Sequence, residues 1–133
     1  MEVKSIVVCG VGGQGIILAS DILSSVLFEA GFDVKKNEIH GMSQREGSVL
    51  SFIRYGKEVH SPVVPDGSAD YLLSFEQLEA LRNIRYLKKG GAVVVNSQEI
   101  PPTPVQLGLA SYPQDIAASF GAVTKDFKLV NAM

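Results

Sequence analysis

The stretch Ser5-Ile6-Val7-Val8-Cys9-Gly10-Val11-Gly12-Gly13-Gln14-Gly15-Ile16-Ile17-Leu18-Ala19 joins a strand-like run to a helix-like run through a cluster of glycines. Ser5 to Cys9 is short, continuous and rich in β-branched residues, the composition of a strand buried on both faces. Beyond the glycines, Ile16, Ala19, Leu23, Val26, Leu27 and Ala30 recur at helical spacing. A helix is therefore predicted over Gln14 to Ala30, with Gly31 as its stop. Leu18 and Ile22 lie off that stripe. The helix should thus be apolar on more than one side, covered by a sheet and also by something else, such as another subunit.

Further along, Phe32 to Ile39 and Ser48 to Tyr55 read as strands, and Gly56-Lys57 as a turn into Glu58-Val59-His60, a hairpin signal. Ala69 to Ser74 is another buried-type strand. A helix is expected from about Glu76 to Leu87, with Lys88-Lys89 in its last turn and Gly90-Gly91 as its end. Ala92 to Val95 is the next core strand, and Pro101, Pro102 and Pro104 force a loop. A short helix is expected after Tyr112-Pro113, and Phe127 to Val130 as a last strand. Strands alternating with helices predict a single Rossmann-like α/β domain, its sheet mainly parallel, with an antiparallel hairpin.

Gly10-Val11-Gly12-Gly13-Gln14-Gly15 satisfies G-x-G-x-x-G directly after a strand and before a helix. Glycines allow a tight turn and close approach of the backbone to a ligand. The helix start adds unpaired N–H groups and a positive dipole end, so anion or nucleotide contact is one expectation. Close strand-to-helix packing is the other. A nicotinamide dinucleotide site also asks for an acidic residue about 20 residues further on. The region reads Val34-Lys35-Lys36-Asn37-Glu38, where Glu38 is a candidate ribose ligand and the lysines suit an extra phosphate or a solvated face.

With 133 residues the chain has room for one core, and 46% apolar against 20% charged residues is a globular rather than a disordered balance. A net charge of -2 argues against a broad nucleic-acid-binding face. Cys9 is the only cysteine, so an intrachain disulfide is impossible and no iron–sulfur cluster or structural zinc can be held by this chain alone. The most apolar stretch, Ile16 to Phe32, is broken by Asp21 and Glu29 and is too short and polar for a membrane span. Met1 to Ser5 lead into a strand without a cleavage pattern, and cytoplasmic residence is expected.

The glycine loop resembles the Gly-x-Gly-Gly-Gln-Gly that opens the gamma domain of 2-oxoacid:ferredoxin oxidoreductases, and continues in that manner through Ile16 to Leu23. His40-Gly41-Met42-Ser43-Gln44-Arg45-Glu46-Gly47-Ser48-Val49 is similar to the indolepyruvate branch's second motif, with Glu46 in place of a glycine. Val94 to Val105, with Ile100-Pro101-Pro102, resembles the same branch's loop after a core strand. Tyr112-Pro113 and Val130-Asn131-Ala132-Met133 match its later landmarks. The likeness runs from Ile6 to Met133. The stretch from Ile116 to Phe127 is shorter than the family's, and the family continues beyond Met133, so 1–133 is expected to be one gamma-type domain, shortened at its end.

The resemblance implies an accessory subunit of an enzyme that oxidatively decarboxylates an arylpyruvate to an acyl-coenzyme A and reduces ferredoxin. Thiamine diphosphate, Mg, 4Fe-4S clusters and coenzyme A would be carried mainly by a large partner subunit, with no metal and no catalytic residue on this chain. It implies that Gly10, Gly12, Gly13, Gln14, Gly15, Ser43, Gln44 and Arg45 present donors to an anionic group or to the neighbouring subunit. Arg45 suits this because a guanidinium forks onto phosphate or carboxylate. A salt bridge with Glu46 is its other reading. Asn96 and Gln98 suit either a ligand beyond a strand end or anchorage of the proline loop. The isolated chain is expected to be a homodimer. A pyruvate or 2-oxoglutarate gamma subunit, a free-standing NAD(P)-binding oxidoreductase and a pure assembly module are the alternatives.

Overall fold

A computed structural model describes residues 2–12, 15–40, 48–96, 121, 124 and 126–130. Six strands, β1 (Lys4–Val11), β2 (Asp33–His40), β3 (Ser48–Gly56), β4 (Ala69–Ser74), β5 (Leu87–Asn96) and β6 (Phe127–Val130), form one sheet in the order β2-β3-β1-β4-β5-β6. The β1–β4, β4–β5 and β5–β6 pairs are parallel, and β1–β3 and β2–β3 are antiparallel. The mainly parallel sheet with an antiparallel hairpin is therefore present. The hairpin is β2–β3, however, not the one expected after Gly56. Glu58 to His60 form no strand; instead Val59, buried, donates its N–H to Asp33 Oδ2 at 2.8 Å and ties the end of β3 to the start of β2.

Burial follows the pleat, whose side chains alternate between faces. Val7 and Cys9 join Phe52, Leu72, Val93, Val95, Tyr86 and Ala80 on the face covered by helix α2 (Gln77–Arg82). Val8 joins Val49, Ile53 and Ile16 on the other face, under helix α1 (Ile16–Glu29), with Leu23 and Leu27 packed against them. A buried hydrogen bond between the Ser20 and Ser51 hydroxyls pins α1 to β3. Gly31, at φ +100°, follows the end of α1 as expected. Val26 and Ala30 do not belong to the core stripe: both are exposed, because the helix meets the sheet along Ile16, Ser20, Leu23 and Leu27. Leu18 and Ile22 face solvent, as their place off the stripe requires.

The helix expected from Glu76 to Leu87 stops at Arg82 and is followed by a single 3-10 turn, Ile84–Tyr86. Lys88 to Gly91 lie inside β5, not at a helix end. Between Ala69↔Leu87 and Tyr71↔Ala92, two steps along β4 are answered by five along β5, an irregularity that Gly90 accommodates at φ +82°. At Gly91 an added Cβ would come within 2.7 Å of Leu87 Cδ1. This glycine pair therefore serves a distorted strand. The short helix expected after Tyr112-Pro113 lies outside the described residues. No described helix is long and apolar enough to cross a membrane.

Candidate functional site

Parallel strands β1, β4 and β5 all end on one edge of the sheet, and the glycine turn leaves that edge from the centre. Gly10 and Val11 still pair with Val49 and Ser48 of β3; Gly12 then begins the turn. Gly15 caps α1 at φ +83°, ψ +23°, in the left-handed region that disfavours a Cβ. A Cβ there would meet nothing within 4 Å, so backbone conformation rather than close packing calls for glycine. Its carbonyl accepts the Ala19 N–H at 2.9 Å. No side chain caps this helix start, and its first turn carries no acid. Among the described residues, the positive end of the dipole thus has no acid of its own helix beside it. Of the expected donors, the structure places Gly10, Gly12 and Gly15 together. Gly13, Gln14, Ser43, Gln44 and Arg45 lie outside the described residues.

Beside the turn is a recess of about 210 Å³ lined by Val11, Gly12, Gly15, Ile16, Ile17, Leu18 and Val49. The described wall is apolar, a setting suited to a partner's side chain as well as to a ligand.

On the opposite face of the sheet the structure adds a polar group that the sequence did not reveal. Glu76, buried, accepts the Glu79 N–H at 2.9 Å and so caps α2. Glu79, 3% exposed, is paired with Arg82, whose Nη1 also donates to Ser48 Oγ at 3.3 Å. A guanidinium is thus held against the start of β3, opposite Val11. An i, i+3 Glu–Arg pair was the available signal, but such pairs are common on solvated helix faces. Cys9 lies beneath this group, its Sγ 3.7 Å from the Glu79 carbonyl. Burial, with smaller contributions from neighbouring carboxylates, pushes its thiol up to about 12, although Ser74 and Asn83 pull the other way. Asn96 donates to the Phe75 carbonyl at 3.2 Å, anchoring the end of β5 to the end of β4. Gln98 is outside the described residues.

The geometry bears on Glu38. β3 stands between β1 and β2, so Glu38 is roughly 10 Å to the side of β1. It is level with Ser51 and thence Val8, below the glycine turn rather than beside it. Its carboxylate takes a 2.8 Å bond from Lys36, which also bonds Asp21 on α1. Lys35 pairs with Asp33 at 3.3 Å and Lys88 with Asp70 at 2.6 Å. These acids and lysines are engaged with one another along the sheet.

A glycine turn on the strand-end edge of a mixed, mostly parallel sheet defines a Rossmann-like α/β domain. Residues 5–131 match the family described as pyruvate ferredoxin/flavodoxin oxidoreductase, and the chain belongs to that family. Indolepyruvate oxidoreductase subunit IorB of Thermococcus kodakarensis is 52% identical over 113 residues, 85% of this chain and 56% of that protein. The protein of the same name from Archaeoglobus fulgidus is 41% identical over 130 residues, 96% of this chain and 64% of its own length. The chain thus spans less than two thirds of either relative. The crystal structure of pyruvate oxidoreductase subunit PORC from Thermotoga maritima shares the fold, with a TM-score of 0.67 over 99% of this chain and 64% of that one, at 19% identity.

Proposed function

We propose that 1–133 is a gamma-type domain acting as the accessory subunit, or the larger part of it, of a cytoplasmic 2-oxoacid:ferredoxin oxidoreductase specific for arylpyruvates such as indolepyruvate. The observation that carries this is the family match over residues 5–131 together with identities of 41–52% to relatives named as indolepyruvate oxidoreductase subunits. The complex would decarboxylate the 2-oxoacid, transfer the acyl group to coenzyme A and pass electrons to ferredoxin. Thiamine diphosphate would supply the carbanion chemistry. The chain's single, buried cysteine does not fit a 4Fe-4S centre, which needs several thiolates, so clusters, Mg and thiamine diphosphate are assigned to a large partner. The glycine turn, with Ser43, Gln44 and Arg45, would present N–H and guanidinium donors to an anionic group of coenzyme A or to that partner. Nicotinamide binding gains no support from Glu38, which lies two strands from the turn and is paired with Lys36.

The test is co-expression with a large thiamine-binding chain of the same family from the same source. A stable co-purifying complex that reduces ferredoxin only when indolepyruvate and coenzyme A are both present is the expected result. The chain alone should be colourless and inert. Turnover of an arylpyruvate by the isolated chain, or tight NAD(H) binding by it, would overturn the assignment.

A further inference from the structure

The outer face of α1 is built in a way that its own domain does not use. Leu18, Ile22 and Val26 are 66%, 56% and 59% exposed. Spaced by four residues, they form one ridge about 12 Å long on the side away from the sheet. The charges on the same helix are arranged against its dipole. Its start at Gly15 has no side-chain cap and no acid in the first turn, while its last turn carries Glu29, exposed, and no base. Within one copy the last turn, with an acid and no base, is electrostatically unfavourable.

We propose that a second copy of this chain covers this ridge, the two α1 helices packing antiparallel about a two-fold axis through Ile22. Leu18 and Val26 are each four residues from Ile22, and Gly15 and Glu29 each seven. Antiparallel pairing therefore sets Leu18 of one copy against Val26 of the other, with Ile22 against its own equivalent. The same operation brings each Glu29 carboxylate level with the start of the other α1. Anion and positive dipole end then meet twice, once at each end of the contact. A closed isologous contact requires such self-complementarity. Glu29 lies on the ridge side of the helix, less than a quarter-turn from both Leu18 and Ile22. The ridge also adjoins the apolar recess at Ile17 and Leu18, which extends the apolar surface toward the glycine turn. Asp21, on the flank, is already matched by Lys36 of its own chain and adds no repulsion.

In this dimer Glu29 of the second copy takes the helix start that the proposed enzyme would offer to an anion, so the two uses of that end exclude each other. The test of the contact needs no partner chain. Sedimentation of the 133-residue chain at micromolar concentration should show a dimer. Ile22→Asp should raise its dissociation constant by more than roughly tenfold, because each substitution enters both halves of the contact. Ile22→Ser, milder and at the same exposed position, should weaken it in the same direction, and a retained cooperative melt identifies either variant as folded. Glu29→Gln should weaken it by about tenfold at low salt, removing two dipole contacts at once. Under mild oxidation Ile22→Cys should cross-link to itself. Leu18→Cys and Val26→Cys should cross-link to each other when mixed and neither to itself. A monomer across the concentration range overturns the proposal, as does a dimer indifferent to both Ile22 substitutions or a Leu18→Cys self-cross-link.

Discussion

Cys9 shows how one residue type takes its meaning from its surroundings. In the sequence it is the only cysteine, inside an apolar strand next to a glycine loop, which rules out an intrachain disulfide but says nothing of its reactivity. In the fold it is fully buried on the α2 face, and burial holds its thiol up near 12. The thiolate is the nucleophile, so at neutral pH the folded protein presents almost none. A thiol reagent at pH 8 should modify the native chain far more slowly than the chain in denaturant. Equal rates would mean that the strand opens or that the thiol is reachable. The same scale explains why the Glu79–Arg82–Ser48 group went unseen. An acid and a base three residues apart predict a solvated pair; that Glu79 is buried depends on β1, β3 and α2 converging, which no local pattern encodes.

At the scale of elements, what could be read locally was read well. β1, β3, β4 and β6 and the body of α1 announce themselves through apolar runs and helical spacing. What failed was tertiary. The order β2-β3-β1 depends on β3 inserting antiparallel beside β1, and sequence spacing carries no record of which strand becomes a neighbour. Lys88-Lys89-Gly90-Gly91 has the composition of a helix end, yet pairing with β4 draws it into β5. A carboxylate fastens that join: Asp70 on β4 accepts from the Ser5 N–H at 2.8 Å and from Lys88 Nζ at 2.6 Å, with Lys4 at 3.8 Å. Burial pushes the Asp70 carboxyl up, but the bonds from Lys88 and Ser5 and the two lysine charges outweigh it and hold its pKa below the ordinary 3.8. A depressed folded pKa contributes stability that is fully present above the unfolded value and is lost as pH falls through the folded one. The native state should therefore weaken below about pH 4. Asp70→Asn should cost about 1–2 kcal/mol at neutral pH and flatten the acid limb of a stability–pH curve. A variant with the wild-type acid limb would show that other carboxylates dominate it.

At the scale of the whole molecule, the question is whether the glycine turn serves folding or assembly. The three glycines placed by the structure answer differently. Gly10 is strand, Gly12 begins the turn, and Gly15 is held in the left-handed region with open space around it. Gly15→Ala should cost about 1 kcal/mol of stability from backbone strain, whatever the loop contacts. It thus sets the size of the structural effect against which the other glycines are read. If the turn offers its N–H groups to an anion or to the large chain, Gly12→Ala and Gly13→Ala should behave otherwise. Their melting temperatures should stay closer to wild type than that of Gly15→Ala, while ferredoxin reduction by the reconstituted complex falls by roughly tenfold or more, the loss expected when a ligand-facing group is displaced. Measuring melting of the isolated variants alongside turnover of their complexes separates the two roles. Should both variants keep full turnover in the complex, the turn is only a strand-to-helix connection, and the anion would have to be sought elsewhere on the strand-end edge of the sheet. The Arg82 guanidinium, braced by Glu79 against Ser48, would then be the first group to test there.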